Sequence, residues 1–362
     1  VTIFFQSQRS IANDVIRTDG PASRVAIVGR AVWFYLGKLI WPARLAFVYP
    51  RWATGDVSPR AFVPLVLLVL ALLVFWTGRR WWGWGPLAAM AYFVLMLLPV
   101  LGLLNIYFMR YSLVADHWQY AASVGPIALF AAVVSRMTRE WRWAVGVLIV
   151  LSLSALSEGQ AFLYRSGETL WRDTIAKNPA SWMAWMNLGH TFALEGRYAD
   201  AAQCYRAAAA LAPDMAEPFY SLATADAQQG RYSDAIGQYE RAIQLNPRVA
   251  AMYMDMGHSL AELHQNERAL ACFEAAINLR PEDANQYYEL GLLLDRMKRQ
   301  SEATKAYQAA VSRAPRWARG RMALGNALLE QGERAAAAEQ FEKALEIDPH
   351  LLAARVGLEA AR

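Results

Sequence analysis

The sequence predicts an all-α protein in two halves, polytopic transmembrane helices followed by an α-solenoid, and three observations carry that prediction. Pro179, Pro213, Pro247, Pro281, Pro315 and Pro349 recur every 34 residues. Two alanine rows keep the same step, Ala201, Ala235, Ala269, Ala303, Ala337 and Ala208, Ala242, Ala276, Ala310, Ala344, with an aromatic between them at Tyr205, Tyr239, Phe273, Tyr307 and Phe341. Ahead of the array, long apolar runs without charge reach the ~20 residues that a membrane-spanning helix needs.

Each period reads as a helical hairpin. Small residues in the alanine rows let paired helices approach closely, the aromatic fills the space beside them, and proline ends the second helix. A hairpin of this kind cannot bury its own face, so stacking supplies the core. The 34-residue period with a Leu-Gly pair, small residues and a closing proline resembles the tetratricopeptide repeat, TPR. We therefore expect about five repeats over residues 182–350, a half-repeat junction at 164–181 and a capping helix at 351–362, in which Arg355 and Glu359 stand at i,i+4.

Charge divides at the same border. Residues 1–160 carry 14 Lys and Arg against 6 Asp and Glu, whereas residues 161–362 carry 22 against 25. The basic residues sit among apolar runs and the repeat half is slightly acidic, which argues against nucleic acid as a partner. Cys204 and Cys272 occupy the same helix position in the first and third repeats and are expected as small core residues, not a disulfide. Val1 is not an initiator Met, and residues 1–19 lack the charged start, apolar run and cleavage site of a signal peptide, so the expectation is a chain that begins mid-protein.

Within residues 1–163 the membrane half opens on the end of a span at 1–5. Residues 24–52 are apolar and aromatic but interrupted by Arg30, Lys38 and Arg44, whose helical angles fall within about 120° of one another. A basic face opposite a greasy one, with Trp33, Trp41 and Trp52 nearby, suits an external juxtamembrane segment at headgroup level. Spans are expected at about 61–77, 86–104, 118–135 and 143–163. Arg79 and Arg80 in one short loop, and Arg136, Arg139 and Arg142 in another, predict that both loops are cytoplasmic and the array extracytoplasmic, in the inner membrane if the source is bacterial.

No nucleophile or metal pattern stands out, and neither a metal nor a cofactor is expected. His117, His190, His258, His264 and His350 are scattered, and neither cysteine has a partner at ligand spacing. Charge and aromatics concentrate instead in two external segments, YLGKLIWPARLAFVYPRW at 35–52 and RYSLVADHWQY at 110–120. These, with ETLWRDTIAKNP at 168–179, resemble polytopic glycosyltransferases of the GT-C fold that carry C-terminal TPR arrays, relatives of protein O-mannosyltransferases. The resemblance implies a polyprenyl-phosphate sugar donor held near both loops. Lys38, Arg44, Arg51 and Arg110 would then offer cations to the lipid phosphate, and Asp116 and His117 would orient donor or acceptor. Where those relatives commonly carry Arg after the acidic residue, this chain has His117. The catalytic acid of that family lies in a first external loop that this sequence does not contain, and the catalytic residues here are unknown. The competing reading has the cations snorkel to headgroups while Arg110 and Asp116 pair across a loop.

In TPR arrays the first helix of each hairpin lines a groove for extended peptides or partner helices. By register the groove takes Met183, Met186 and His190, then Glu217, Tyr220 and Thr224, then Met254 and His258, then Asn285 and Tyr288, then Arg319, Met322 and Asn326. Methionine and tyrosine make an adaptable surface for a protein ligand, and the same side chains equally suit packing between repeats. Three functions compete. One is the C-terminal portion of a GT-C glycosyltransferase acting on a protein recruited by the array, another a non-catalytic membrane-anchored scaffold, and the third an O-antigen-ligase-like enzyme with fused repeats.

Overall fold

A computed structural model describes residues 19–42, 45–103, 109 and 112–362. Among these residues there are 17 α-helices and no strand. The chain divides into two compact units, Val1–Leu188 and Gly189–Arg362.

In the first unit, α1 (Pro21–Ile40) starts with proline in its first turn, where the missing N–H costs nothing. The greasy face foreseen for the interface is covered by protein instead. Ala26, Ile27, Ala31, Val32 and Tyr35 are buried, and Gly29 lies so close to α2 (Val63–Trp82) that an added Cβ would stand 2.3 Å from the Leu65 amide nitrogen. Trp33 Nε1 donates to the Pro64 carbonyl at 2.8 Å, pinning the same crossing. One core then joins Val32 and Tyr35 of α1, Ala46 and Tyr49 of the following irregular segment, Leu68 of α2, Phe93 and Leu97 of α3 (Gly85–Leu97), and Val114 and Ala122.

Two stretches are long and apolar enough to cross a membrane, Pro59–Trp82 with 24 residues and α5 (Arg139–Leu163) with 25. They coincide with the expected spans at 61–77 and 143–163. The other two expected spans are shorter as helices. The helix α3 has 13 residues, about 20 Å at 1.5 Å per residue, and passes into a 3₁₀ turn at Leu98–Val100 that carries Pro99. The helix α4 (Val124–Ser135) has 12 residues. It begins late because Asp116–Gln119 forms a separate 3₁₀ turn and Pro126 is tolerated only in a first helical turn. The stub at 1–5 lies outside the described residues.

The helix α6 (Gly167–Lys177) is capped by Ser166, whose hydroxyl accepts from the Thr169 amide at 3.1 Å. It ends at Asn178 with φ −142° and ψ 79°, outside the helical region that the following Pro179 disfavours. The next helix, α7 (Trp182–Leu194), runs through the unit boundary.

In the second unit the hairpins are α8 (Tyr198–Leu211) after α7, then α9 (Ala216–Gln228) with α10 (Tyr232–Leu245), α11 (Ala250–Glu262) with α12 (Asn266–Leu279), α13 (Ala284–Arg296) with α14 (Gln300–Arg313), and α15 (Ala318–Glu330) with α16 (Arg334–Ile347). First helices have 13 residues and second helices 14. All ten alanines of the two rows are 0 % exposed, which is what makes them the hinge of the packing. Across from them the aromatic ring presses on the first helix. A Cβ at Gly189, Gly257 or Gly291 would lie 2.5 Å from the rings of Tyr205, Phe273 and Tyr307, so glycine sets the helix spacing. In the second repeat Ala223 stands at that position against Tyr239. Cys204 and Cys272 are buried thiols not joined in a disulfide.

The capping helix α17 (Leu352–Ala361) follows, burying Ala354, Gly357 and Ala361. Its Arg355 turns to the Pro349 carbonyl at 3.0 Å, while Arg362 reaches Glu342 at 3.2 Å.

Candidate functional site

Two places gather the residues singled out in the sequence. In the first unit, Asp116 opens the 3₁₀ turn after Ala115, and Tyr49 donates its hydroxyl to both carboxylate oxygens, at 2.8 and 3.0 Å. The Ala115 amide donates to the buried Tyr35 hydroxyl at 3.1 Å, which fixes the start of that turn against α1. Lys38 lies over the Tyr49 ring, 5.2 Å from its centroid, and over Phe34 at 5.7 Å. Burial pushes the Asp116 carboxyl above the usual carboxylate range, against the Tyr49 hydrogen bond and the charges of Lys38, His117 and Lys177, which pull it down. Burial and the neighbouring Asp116 raise the Tyr49 phenol, so it stays a donor.

Of the residues assigned to a donor phosphate, Lys38, Asp116 and His117 thus share one neighbourhood. His117 is exposed. Arg51 is also exposed, and the segment beside it is held by Arg30 stacked 4.4 Å over the Trp52 ring. Arg44 and Arg110 lie outside the described residues. The residues that sequence reasoning missed are Tyr35, Tyr49 and Lys177. Lys177 Nζ donates to the Leu45 carbonyl at 2.7 Å and to Asp173 at 2.6 Å, Asn178 Nδ2 reaches the Val48 carbonyl at 3.3 Å, and Phe47 packs edge-on to Trp171 at 5.2 Å. All of them fall inside the quoted segments 35–52 and 168–179, where the concentration of aromatics was the available signal.

The second place is the first-helix surface of the array. His190, His258 and Asn326 are exposed there, and Met183, Tyr220, Tyr288 and Met322 are half-buried. Met186 and Met254, assigned to the groove by register, are instead core residues, 2 % and 8 % exposed. Met254 packs with Ala250, Cys272 and Phe273, so the thioether fills a gap between hairpins and is not free for a ligand.

Polar links tie the exposed positions together. Tyr220 donates to Asp255 at 2.7 Å, and the Tyr205 hydroxyl lies 3.0 Å from His190 Nδ1. His258 Nε2 is 3.9 Å from Glu289, and the ring stacks edge-on to Phe273 at 5.2 Å. Tyr288 packs against both Tyr307 and Trp317, at 5.8 and 4.9 Å. A cavity of about 500 Å³ is lined by Thr224, Tyr239, Asp255, His258, Ser259 and Glu262, and a neighbouring one of about 230 Å³ by His190, Tyr198, Tyr205, Tyr220 and Thr224. Asp255 is held above the usual carboxylate range by burial, opposed by the Tyr220 hydrogen bond and His258. Among the described residues no group of three or more His, Cys, Asp and Glu could hold a metal ion.

Stacked two-helix units with a fixed 34-residue step define an α-solenoid. Family profiles described as tetratricopeptide repeat match residues 154–216, 216–249, 285–316 and 318–351, and one described as TPR repeat matches 257–298, so the chain carries tetratricopeptide repeats. Among solved structures it is similar to MamA protein at 26 % identity, covering 46 % of this chain and 92 % of that one with a TM-score of 0.44. It is similar to MamA 41-end from Desulfovibrio magneticus RS-1 at 25 %, covering 47 % and 96 % with a TM-score of 0.44. A further likeness is to YrrB, a TPR protein with an unusual peptide-binding site, at 20 %, covering 52 % and 97 % with a TM-score of 0.45. No curated protein matches.

Proposed function

We propose that the chain is a membrane-anchored TPR protein whose array captures a protein or peptide ligand. The observation that carries the binding reading is the first-helix surface, where half-buried tyrosines, exposed histidines and a concave cavity of about 500 Å³ lie together among otherwise tightly packed repeats. A photocrosslinking amino acid at His258, in cells, is expected to yield protein adducts, and the same group at Glu274, exposed on the outer face of α12, none. Equal labelling at both positions counts against a groove.

Anchoring rests on two apolar helices. No residue of α5 is buried, and Pro59–Trp82 leaves most of its apolar surface uncovered, far more exposed hydrocarbon than a protein surface in water sustains. The orientation reading keeps the Arg79-Arg80 end of α2 cytoplasmic and the array outside the cytoplasm. Reporter enzymes fused after Arg80 and after Arg362 test it, and a cytoplasmic reporter active at the C-terminus sinks it.

A finer reading is that the chain forms the C-terminal portion of a GT-C glycosyltransferase that moves a sugar from a polyprenyl-phosphate donor to the protein held by the array. It is favoured by the half-buried Asp116, which accepts from Tyr49 beside Lys38 where an ordinary loop carboxylate would be solvated. In the full-length protein, Asp116→Asn is expected to lower sugar transfer from a polyprenyl-phosphate donor at least about tenfold. Unchanged transfer removes Asp116 from the site, and no transfer by the parent protein favours the scaffold alternative.

A further inference from the structure

The larger cavity has a chemistry that the general role of a peptide groove does not specify. Its walls come from the second and third hairpins: Thr224 of α9, Tyr239 of α10, and Asp255, His258, Ser259 and Glu262 of α11. The Tyr239 hydroxyl is occupied with Thr224 at 3.3 Å, so it stiffens one wall. The Asp255 carboxylate is oriented through Oδ2 by Tyr220, and Glu262 leans outward to Arg296 at 3.3 Å. The other charges at this mouth are His258 and, beyond it, Glu289. Arg231, at the nearby turn, is engaged by Asp226. A concave, polar site with an oriented carboxylate and no strong cation of its own is complementary to a positive group.

We propose that this cavity receives the basic side chain, arginine or lysine, of an extended peptide lying along the array. The proposal rests on the peptide-binding reading above and names the ligand chemistry of one subsite. A peptide fits better than a free cation because the smaller cavity shares Thr224 with the larger one, and Tyr220, whose hydroxyl reaches Asp255, lines it. Two adjoining receptacles, one acidic and one lined by His190, Tyr198 and Tyr205, suit successive side chains of a single extended chain.

The test uses the full-length chain in detergent micelles and immobilised heptapeptide libraries, randomised except for a central arginine, lysine, citrulline or glutamate. The arginine and lysine libraries are expected to retain about tenfold more protein than the citrulline library, the size of one lost charge-assisted contact. Asp255→Asn keeps an acceptor for Tyr220 and should melt as the parent does, yet lose the preference. His258→Lys, at an exposed position, places a competing cation at the mouth and should lose it too. If peptides bind with no preference for the basic libraries, or with a preference that survives both variants, the subsite is wrong and the groove reading stands. Retention of none of the libraries overturns both. Free spermidine displacing the arginine library as well as an arginine peptide does would make the site one for polyamines and overturn the peptide proposal.

Discussion

In the second unit, one joint is made again and again. The rings of Tyr205, Phe273, Tyr307 and Phe341 press on glycines of the facing first helix, and alanines with no exposed surface flank them. In the first unit, α5 buries nothing and Leu148, Val150, Leu151 and Trp143 are each more than 60 % exposed. Apolar side chains in the array obey a packing rule set by protein neighbours. On α5 they obey none that the protein supplies, which is what the proposed membrane anchor requires.

The largest test of that contrast is truncation. Phe273→Ala removes a ring from a core where it meets Gly257, and about 4 kcal/mol should be lost. Leu148→Ala, measured by the same thermal melt in detergent, should stay within about 0.5 kcal/mol. A comparable loss at Leu148 would mean that α5 packs against protein and is no free span.

Enlargement gives the next effect. Gly257→Val forces a branched side chain into the Phe273 ring, where even a Cβ would stand 2.5 Å away, and should cost about 2 kcal/mol. Gly146 on α5 has nothing within 4 Å of its would-be Cβ, so Gly146→Val should be close to neutral. The second repeat sharpens the point, since Ala223 already occupies the glycine position against Tyr239. A methyl there is tolerated once the ring yields slightly, so Gly257→Ala should cost less than Gly257→Val.

Within the first unit lies the half-buried Asp116, and its behaviour with pH has a defined sign. Burial raises its folded-state pKa above the unfolded value, so the folded protein binds the proton more tightly. Stability from that proton is full below the unfolded pKa and is lost as pH rises through the folded one. Melting curves from about pH 4 to about pH 7 should therefore show a downward slope that flattens in Asp116→Asn. The asparagine still accepts from Tyr49, and a loss of about 1 kcal/mol or less is expected.

The array was legible because its signal is periodic: spacing alone placed the proline-ended helices, the alanine rows and the aromatic of each repeat. Register was less informative about the groove. Met186 and Met254 stand at the same helix position as Tyr220 and Tyr288, yet the methionines turn inward where a flexible chain can fill the gap between hairpins. In the first unit, apolar runs found the two long helices but overestimated the ones between. Hydropathy does not register that Pro99 and the Asp116 turn divert the chain. The partnership of Tyr49 with Asp116, and of Lys177 with Leu45, joins residues 67 and 132 positions apart, and such contacts leave no trace in local pattern.

The smallest expected effect lies at the hairpin turns of the array. Each hairpin turn needs one left-handed residue, and glycine supplies it at Gly196, Gly230 and Gly332, with φ of 75°, 74° and 83°. His264 and Lys298 hold the same position at 59° and 61°. A side chain in that region costs about 1 kcal/mol, while glycine in its place adds about 0.5 kcal/mol of freedom to the unfolded chain. The first outweighs the second, so Lys298→Gly should raise stability by about 0.5 kcal/mol and Gly230→Lys should lower it by a similar amount. Gly83, which ends α2, has φ 73° but ψ −175°, a region essentially reserved for glycine, so Gly83→Lys should cost more than Gly230→Lys. A turn's backbone requirement is local, so each cost follows from the φ and ψ of its own position and not from the packing around it.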